Sequence, residues 1–303
     1  MQCSDLPDAL EAGRRELDDP RTGLVSFYQS RSAGEVDAPP LLLIHSINAA
    51  AAAHEVRPLF DGLRGERPVF APDLPGYGLS DRAERPYRPR LMTDAVLAVA
   101  EEARRSTGAA RLDALAVSLS SEFLARAAVE VPGLFRSIAL VSPTGFNRQA
   151  PLEGPPGATR GRAGARRVFA FNPVGRPLYR LLTTRPSIRF FLRKTFGSPR
   201  IDEQMFEYCC LTTRCPGAWY APFDFLSGFL FSADSGRLYR GLACPVWMSH
   251  GVRGDFTDYR LKPHFAGFPN WRFTVYESGA LPYFEEPRAF LADYRSFLAS
   301  AAV

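Results

Sequence analysis

Apolar residues fall in short blocks spaced along the chain, and the first clear one is Leu41-Leu42-Leu43-Ile44, closed off by Pro39 and Pro40 before it and polar residues after it. A wholly apolar run of that length reads as a strand buried on both faces of a parallel sheet. Further blocks of this kind are Pro68–Ala71, Leu112–Val117, Ile138–Val141, Val246–Met248 and Phe273–Tyr276. Between them the spacing changes to that of helices. Val56, Leu59, Phe60 and Leu63 form one stripe, and Met92, Val96, Val99 and Ala103 a second. Leu124, Ala127, Ala128 and Val131 form a third. A closing helix carries Pro287 in its first turn and Phe290, Leu291, Tyr294, Phe297 and Leu298 on one face. Strands alternating with helices predict an α/β fold with a mostly parallel, doubly wound sheet. Leu24–Gln29 reads as an edge strand, and residues 1–22 as a loose lead-in.

The alternation stops between 147 and 240, where prolines, glycines, arginines and aromatics crowd together. This stretch is expected to be a helical cap inserted into a core made of residues 1–146 and 241–303. Its charge is lopsided. Residues 147–200 hold twelve basic side chains and one acid, Glu153, whereas the whole chain has 37 basic and 32 acidic residues. A basic surface of this kind attracts anions, so an anionic carrier protein or membrane surface is a candidate partner. Pro186–Phe196 could form a basic amphipathic helix on such a surface. No recognition motif for nucleic acid accompanies the charge. Trp219, Phe223, Phe225, Phe229 and Phe231 suit a cap over an apolar pocket, and hence a hydrophobic small-molecule ligand.

Composition narrows the class further. With 46% apolar and 23% charged residues, whole-chain disorder is excluded. No apolar run is long enough for a membrane span, and the first forty residues lack the core of a signal peptide, so a cytoplasmic protein is expected. Five cysteines, an odd number with a vicinal pair at Cys209-Cys210, do not make a disulfide framework. No CxxC pair or dinucleotide loop is present, so neither a metal nor a cofactor is called for.

The candidate chemistry sits where strand Leu112–Val117 runs into Ala116-Val117-Ser118-Leu119-Ser120 and then a helix. A serine on a sharp strand-to-helix turn needs small residues two before and two after it, and Ala116 and Ser120 supply them. The turn exposes the Ser118 hydroxyl above the sheet, at a helix N-terminus.

At this point the sequence resembles the α/β-hydrolase superfamily, in particular its esterase- and thioesterase-like members. Leu41-Leu42-Leu43-Ile44-His45-Ser46 resembles the strand that leads into the oxyanion loop. Asp73-Leu74-Pro75-Gly76-Tyr77-Gly78-Leu79-Ser80 is similar to the family's D-x-P-G-x-G-x-S segment. His250-Gly251 followed by Asp255 resembles the segment that supplies the triad acid, and Gly279–Pro287 resembles G-H-x-P-x-x-E-x-P. The resemblance implies Ser118 as nucleophile, Asp255 as acid, and the backbone N–H groups of Ile47 and Leu119 as the oxyanion hole. Ser46, Asn48, Tyr283, Trp219 and Phe223 are candidate pocket residues, with Asn48 offering a side-chain donor.

Two positions depart from the family. Ser46 stands where glycine is usual. More seriously, Ala280 occupies the histidine position. Imidazole takes the serine proton and returns it to the leaving group, which alanine cannot do. Removing a triad member costs on the order of a million-fold in rate. The other histidines read as structural: His45 at the loop base, His54 at the surface, His250 at a strand end, His264 on an outer helix. Ala280 leaves four readings open: an engineered inactive hydrolase, a hydrolase-derived enzyme with a degenerate triad, a cyclase, lyase or isomerase using the same pocket, or a non-catalytic ligand binder.

Overall fold

The computed structural model describes residues 5–30, 38–254 and 258–301. Eight strands form one sheet: β1 (Gly13–Asp19), β2 (Gly23–Gln29), β3 (Leu41–Ile44), β4 (Val69–Pro72), β5 (Leu112–Val117), β6 (Phe135–Val141), β7 (Val246–Gly251) and β8 (Trp271–Tyr276). Their order across the sheet is β1-β2-β4-β3-β5-β6-β7-β8. The contacts β1–β2 and β2–β4 are antiparallel, and all others are parallel.

Burial on both faces explains the solid apolar blocks. In β3 every residue is fully buried, with Leu42 and Ile44 in the core on one side of the sheet and Leu41 and Leu43 in the core on the other. Strand β5 divides the same way, Ala114 and Ala116 against Leu115 and Val117. The covering helices of the core are α1 (Arg57–Leu63), α2 (Pro89–Thr107) and α3 (Ser120–Glu130). Six further helices lie between β6 and β7: α4 (Ala163–Ala170), α5 (Asn172–Leu182), α6 (Arg185–Phe196), α7 (Glu203–Thr212), α8 (Tyr220–Leu226) and α9 (Ser235–Arg240). Two helices follow β8, the short α10 (Pro282–Glu285) and the closing α11 (Pro287–Ser300).

The beginning of the chain differs from the sequence reading. Gly13–Asp19 is not a loose lead-in but an outer strand, paired residue for residue with β2. Leu24–Gln29 is therefore an inner strand. The cause is compositional: β1 is exposed along most of its length and reads Gly-Arg-Arg-Glu-Leu-Asp-Asp. A charged outer strand carries no apolar block, and its charges blunt an otherwise open sheet edge.

The D-x-P-G-x-G-x-S segment also has a physical account. The Asp73 carboxylate accepts from the N–H groups of Ala53 at 2.8 Å and Leu79 at 2.9 Å, so it staples the turn after β4 to the loop after β3. Gly78 has φ +49°, and a Cβ there would overlap that carboxyl. Ser80 closes the turn by donating to Asp73 O at 2.5 Å and accepting from Ser26 N at 2.8 Å.

Candidate active site

Ser118 lies directly after β5 with φ +55°, in the left-handed region that a serine rarely adopts. The turn is held by its backbone: Ser118 N donates to Val141 O at 2.8 Å, and Ser121 N donates to Ser118 O at 3.1 Å. Ala116 and Ser120 are both fully buried, so the turn has no room for larger side chains on either side. Backbone strain of this kind persists only where surrounding structure enforces it. Ser118 itself is half-buried, and its hydroxyl has no hydrogen-bond partner among the described residues. Ser120 ties the turn to the neighbouring loop by donating to His45 O at 2.6 Å.

That loop carries Ile47. Neither Ile47 N–H nor Leu119 N–H donates to an acceptor among the described residues. Leu119 is the residue after the half-buried Ser118, and Ile47 lies in the loop that Ser120 bonds. The loop is set by Glu55, which the sequence reading missed. Glu55 sits in the 3-10 turn Ala53–Val56 and is buried. Its carboxylate accepts from Ser46 N at 2.8 Å and from the Asn48 amide at 2.8 Å. Burial pushes its carboxyl above the ordinary range, and these bonds pull the other way. A lone acid behind five alanines, Ala49–Ala53, was the available signal.

Asn48 is therefore not a free donor for substrate. Its Nδ2 bonds Ser46 Oγ at 3.0 Å as well as Glu55, and its Oδ1 accepts from Ala50 N at 2.7 Å. Ser46 is buried and belongs to the same internal network. Tyr283 is fully buried and donates to Glu55 O at 3.0 Å, so it props the loop from behind instead of facing the cleft. Burial drives its phenol well above the usual range.

Ala280 follows β8 in a loop fixed on two sides. Its N–H donates to Thr195 O of α6 at 2.8 Å, and its carbonyl accepts from Ser142 Oγ at 2.7 Å. Ser142 is the second serine with positive φ, +48°, at the end of β6. Gly279 packs against the backbone of Phe196, so the end of α6 covers this loop. Asp255 lies outside the described residues.

The four histidines are engaged elsewhere or exposed. His45 Nδ1 donates to Ser46 O at 2.6 Å while Nε2 accepts from Leu74 N at 2.9 Å. Burial lowers its pKa to about 4, so the ring is neutral. His250 donates from Nδ1 to Gly251 O at 2.9 Å and accepts at Nε2 from Lys262 at 3.1 Å. Its pKa is also lowered by burial. His54 is buried rather than at the surface: it stacks on Tyr208 at 4.6 Å and its Nε2 meets Cys209 Sγ at 3.3 Å. Helix α7 covers it, a contact no local pattern could reveal. His264 is exposed.

The two aromatic candidates of the cap separate. Trp219 lines a groove of about 540 Å³ together with Tyr179, Thr183, Cys210 and Thr213. Phe223 is buried among the helices between β6 and β7, stacked on Phe169 at 5.8 Å and edge-on to Tyr179 at 6.2 Å. Glu122, in the first turn of α3, is another residue the sequence did not single out. It accepts from Thr144 Oγ1 at 2.6 Å and from Ser232 N at 2.7 Å, and burial raises its pKa to about 6.

Residues 39–202 match the family model for the alpha/beta hydrolase fold. The chain belongs to the α/β-hydrolase fold family. Solved structures of such α/β folds superpose over nearly the whole chain. A protein described as a probable hydrolytic enzyme from Pseudomonas aeruginosa has a TM-score of 0.74 at 16% identity, covering 95% of each chain. An esterase from Thermogutta terrifontis gives 0.70 at 17% identity, over 96% of this chain and 100% of the other. The 2-hydroxy-6-oxo-6-phenylhexa-2,4-dienoate hydrolase of a Rhodococcus strain gives 0.68 at 18% identity, over 95% and 99%. At these identities the likeness is one of fold. No curated protein matches the chain by sequence. Among the described residues no helix of this α/β-hydrolase-fold chain is long and apolar enough to cross a membrane.

Proposed function

We propose that this chain is a cofactor-independent enzyme of ester or thioester hydrolase ancestry that takes a hydrophobic small molecule and has lost its catalytic base. Ser118 is the nucleophile or polar anchor. The N–H groups of Ile47 and Leu119 form the oxyanion hole, and Asp255 is the acid of a triad left incomplete at Ala280. The observation that carries this reading is the left-handed Ser118, with its hydroxyl unpartnered beside the undonated Leu119 N–H.

The chemistry follows from what is present. Attack of Ser118 Oγ on an acyl carbon places negative charge on the carbonyl oxygen, which the two N–H groups stabilise. The serine proton passes to solvent, and a good leaving group departs without needing a proton. Hydrolysis of the resulting ester then requires an activated water, and no imidazole activates it. An acyl-enzyme therefore accumulates.

Incubation with the p-nitrophenyl ester of a medium-chain acid, followed by intact-mass measurement, tests this. One acyl mass should be added to the protein and be absent from Ser118→Ala. Ala280→His should convert the stoichiometric adduct into turnover. No adduct with the wild-type chain would sink the reading. A second reading, a cyclase, lyase or isomerase using the pocket without an acyl-enzyme, draws on the commitment of the His45 and His250 rings to internal bonds. It predicts ligand binding without adduct, and no gain of esterase turnover in Ala280→His.

A further inference from the structure

Helices α5 and α6 carry apolar groups on the side that faces away from the core. In α6, Ile188, Leu192 and Phe196 recur at helical spacing and are buried. Phe190 and Phe191 lie on the outward side and are 53% and 49% exposed, their rings touching only edge-on at 5.5 Å. In α5, Gly175 and Tyr179 are buried, whereas Val174 and Leu181 are exposed, Leu181 by 65%, with Leu178 half-buried between them. Phe171, between α4 and α5, is 59% exposed. A helix whose core contact is already satisfied has no reason, in water, to present phenylalanine and leucine on its other face.

The charges beside these groups sort into two sets. Arg185 and Arg189 reach across to Glu207 and Glu203 of α7 and are neutralised there. Arg167, Arg180 and Arg193 are exposed with no carboxylate partner among the described residues. Each lies within a few residues of an exposed apolar side chain: Arg167 by Val168, Arg180 by Leu181, Arg193 by Phe191. Lys194 stands over the Phe190 ring at 5.4 Å.

We propose that the outward faces of α5 and α6 dock this protein onto an anionic lipid surface. The apolar groups enter the boundary between headgroups and acyl chains, while the arginines stay at headgroup level and pair with phosphates. Two observations favour lipid over other occupants. The exposed phenylalanines and leucine do not line the cap groove but stand out from helix surfaces, and fluid acyl chains close around protrusions where a folded partner needs matching hollows. The patch is also basic, so a second copy would bring like charges face to face. The surface contains none of the residues assigned to the Ser118 site, so its test does not depend on the reading of that site.

Co-sedimentation with vesicles of equimolar phosphatidylglycerol and phosphatidylcholine, against phosphatidylcholine alone, tests it. The full-length protein should bind the anionic vesicles and weaken as salt rises. Phe190→Ser/Phe191→Ser should lower the partition coefficient by roughly tenfold or more. Arg180→Gln and Arg193→Gln should each lower it by about fivefold. All four side chains are exposed, and circular dichroism checks that the variants are folded. Ser118→Ala should bind like the wild type. Failure to bind anionic vesicles at low salt would overturn the proposal. So would binding that the phenylalanine variant leaves unchanged, since the attraction would then be charge alone. A dimer by light scattering that this variant abolishes would assign the patch to a second copy and overturn it as well.

Discussion

His54 shows how a single buried residue sets behaviour that its position in the sequence conceals. Its Nδ1 has no partner, and burial holds its pKa down to about 3, while His45 is held at about 4. Both rings are neutral in the folded protein but take up protons in the unfolded chain near pH 6.5. The unfolded state thus binds more protons below that pH, and stability is lost as pH falls from 6.5 toward 4 and then 3. At about 1.4 kcal/mol per pH unit, the two together represent several kcal/mol. Glu122, raised to about 6, acts in the opposite direction between pH 4.5 and 6, with a contribution of about 2 kcal/mol. Glu55 and Asp73, also raised by burial, act in the same direction as Glu122, so the melting temperature should fall most clearly between pH 7 and 6, where the histidines begin to titrate in the unfolded chain. His54→Leu removes an unpartnered polar atom and should stay within about 1 kcal/mol of the wild type at pH 7. Its melting temperature should depend less on pH. Thermal melts of both proteins at pH 7, 6 and 5 decide this, and an unchanged slope would remove His54 as the source. The sharp turn at Ser118 was legible because it demands small neighbours. His54 was not, because its burial depends on α7, over 150 residues away.

At the scale of elements, two buried glutamates hold different loops, and amide substitution should separate them. Glu55 accepts from two obligate donors, the N–H of Ser46 and the NH₂ of Asn48. A glutamine offers one acceptor oxygen, so Glu55→Gln leaves a donor facing a donor. The expected loss is about 1–3 kcal/mol, with disturbed positioning of Ile47 and a smaller acyl-adduct yield. Glu122 accepts from Ser232 N and from the hydroxyl of Thr144. That hydroxyl can turn and accept instead, so Glu122→Gln should cost under about 1 kcal/mol. Chemical denaturation of the two variants at pH 7 compares them directly, and equal losses would refute the distinction. The strands and core helices were readable because parallel strands buried on both faces leave solid apolar blocks. Strand β1 was not, since its exposed charges carry no such signal. The glutamates escaped notice because each takes one of its two donors from a backbone N–H, that of Ser46 or of Ser232, and any sequence supplies those.

For the whole molecule, the question is how the helices between β6 and β7 are fastened to the sheet beneath them. Ala280 N–H bonds to the end of α6, and the Tyr179 hydroxyl approaches Ala49 O at 3.4 Å, so helices α5 and α6 touch both loops that flank Ser118. The return to the core is tied to α3. Arg126 meets Asp234 at 2.7 Å, both almost fully buried, and Asp234 also accepts from Gly157 N at 3.1 Å. The basic surplus of residues 147–200 did not foretell this pair, because neither Arg126 nor Asp234 belongs to that stretch. Replacing one member of such a pair strands the other charge in a low dielectric. Arg126→Met should therefore cost about 3–5 kcal/mol, whereas Arg126→Met combined with Asp234→Leu should recover part of that loss because no lone charge remains. The loss should appear first where the clasp sits. Amide hydrogen exchange in Arg126→Met should speed up in α9 and around Gly157 before it does in β5 or β7. Uniform acceleration across the sheet would mean that the cap and core open together, and that the pair at α3 is not a local clasp.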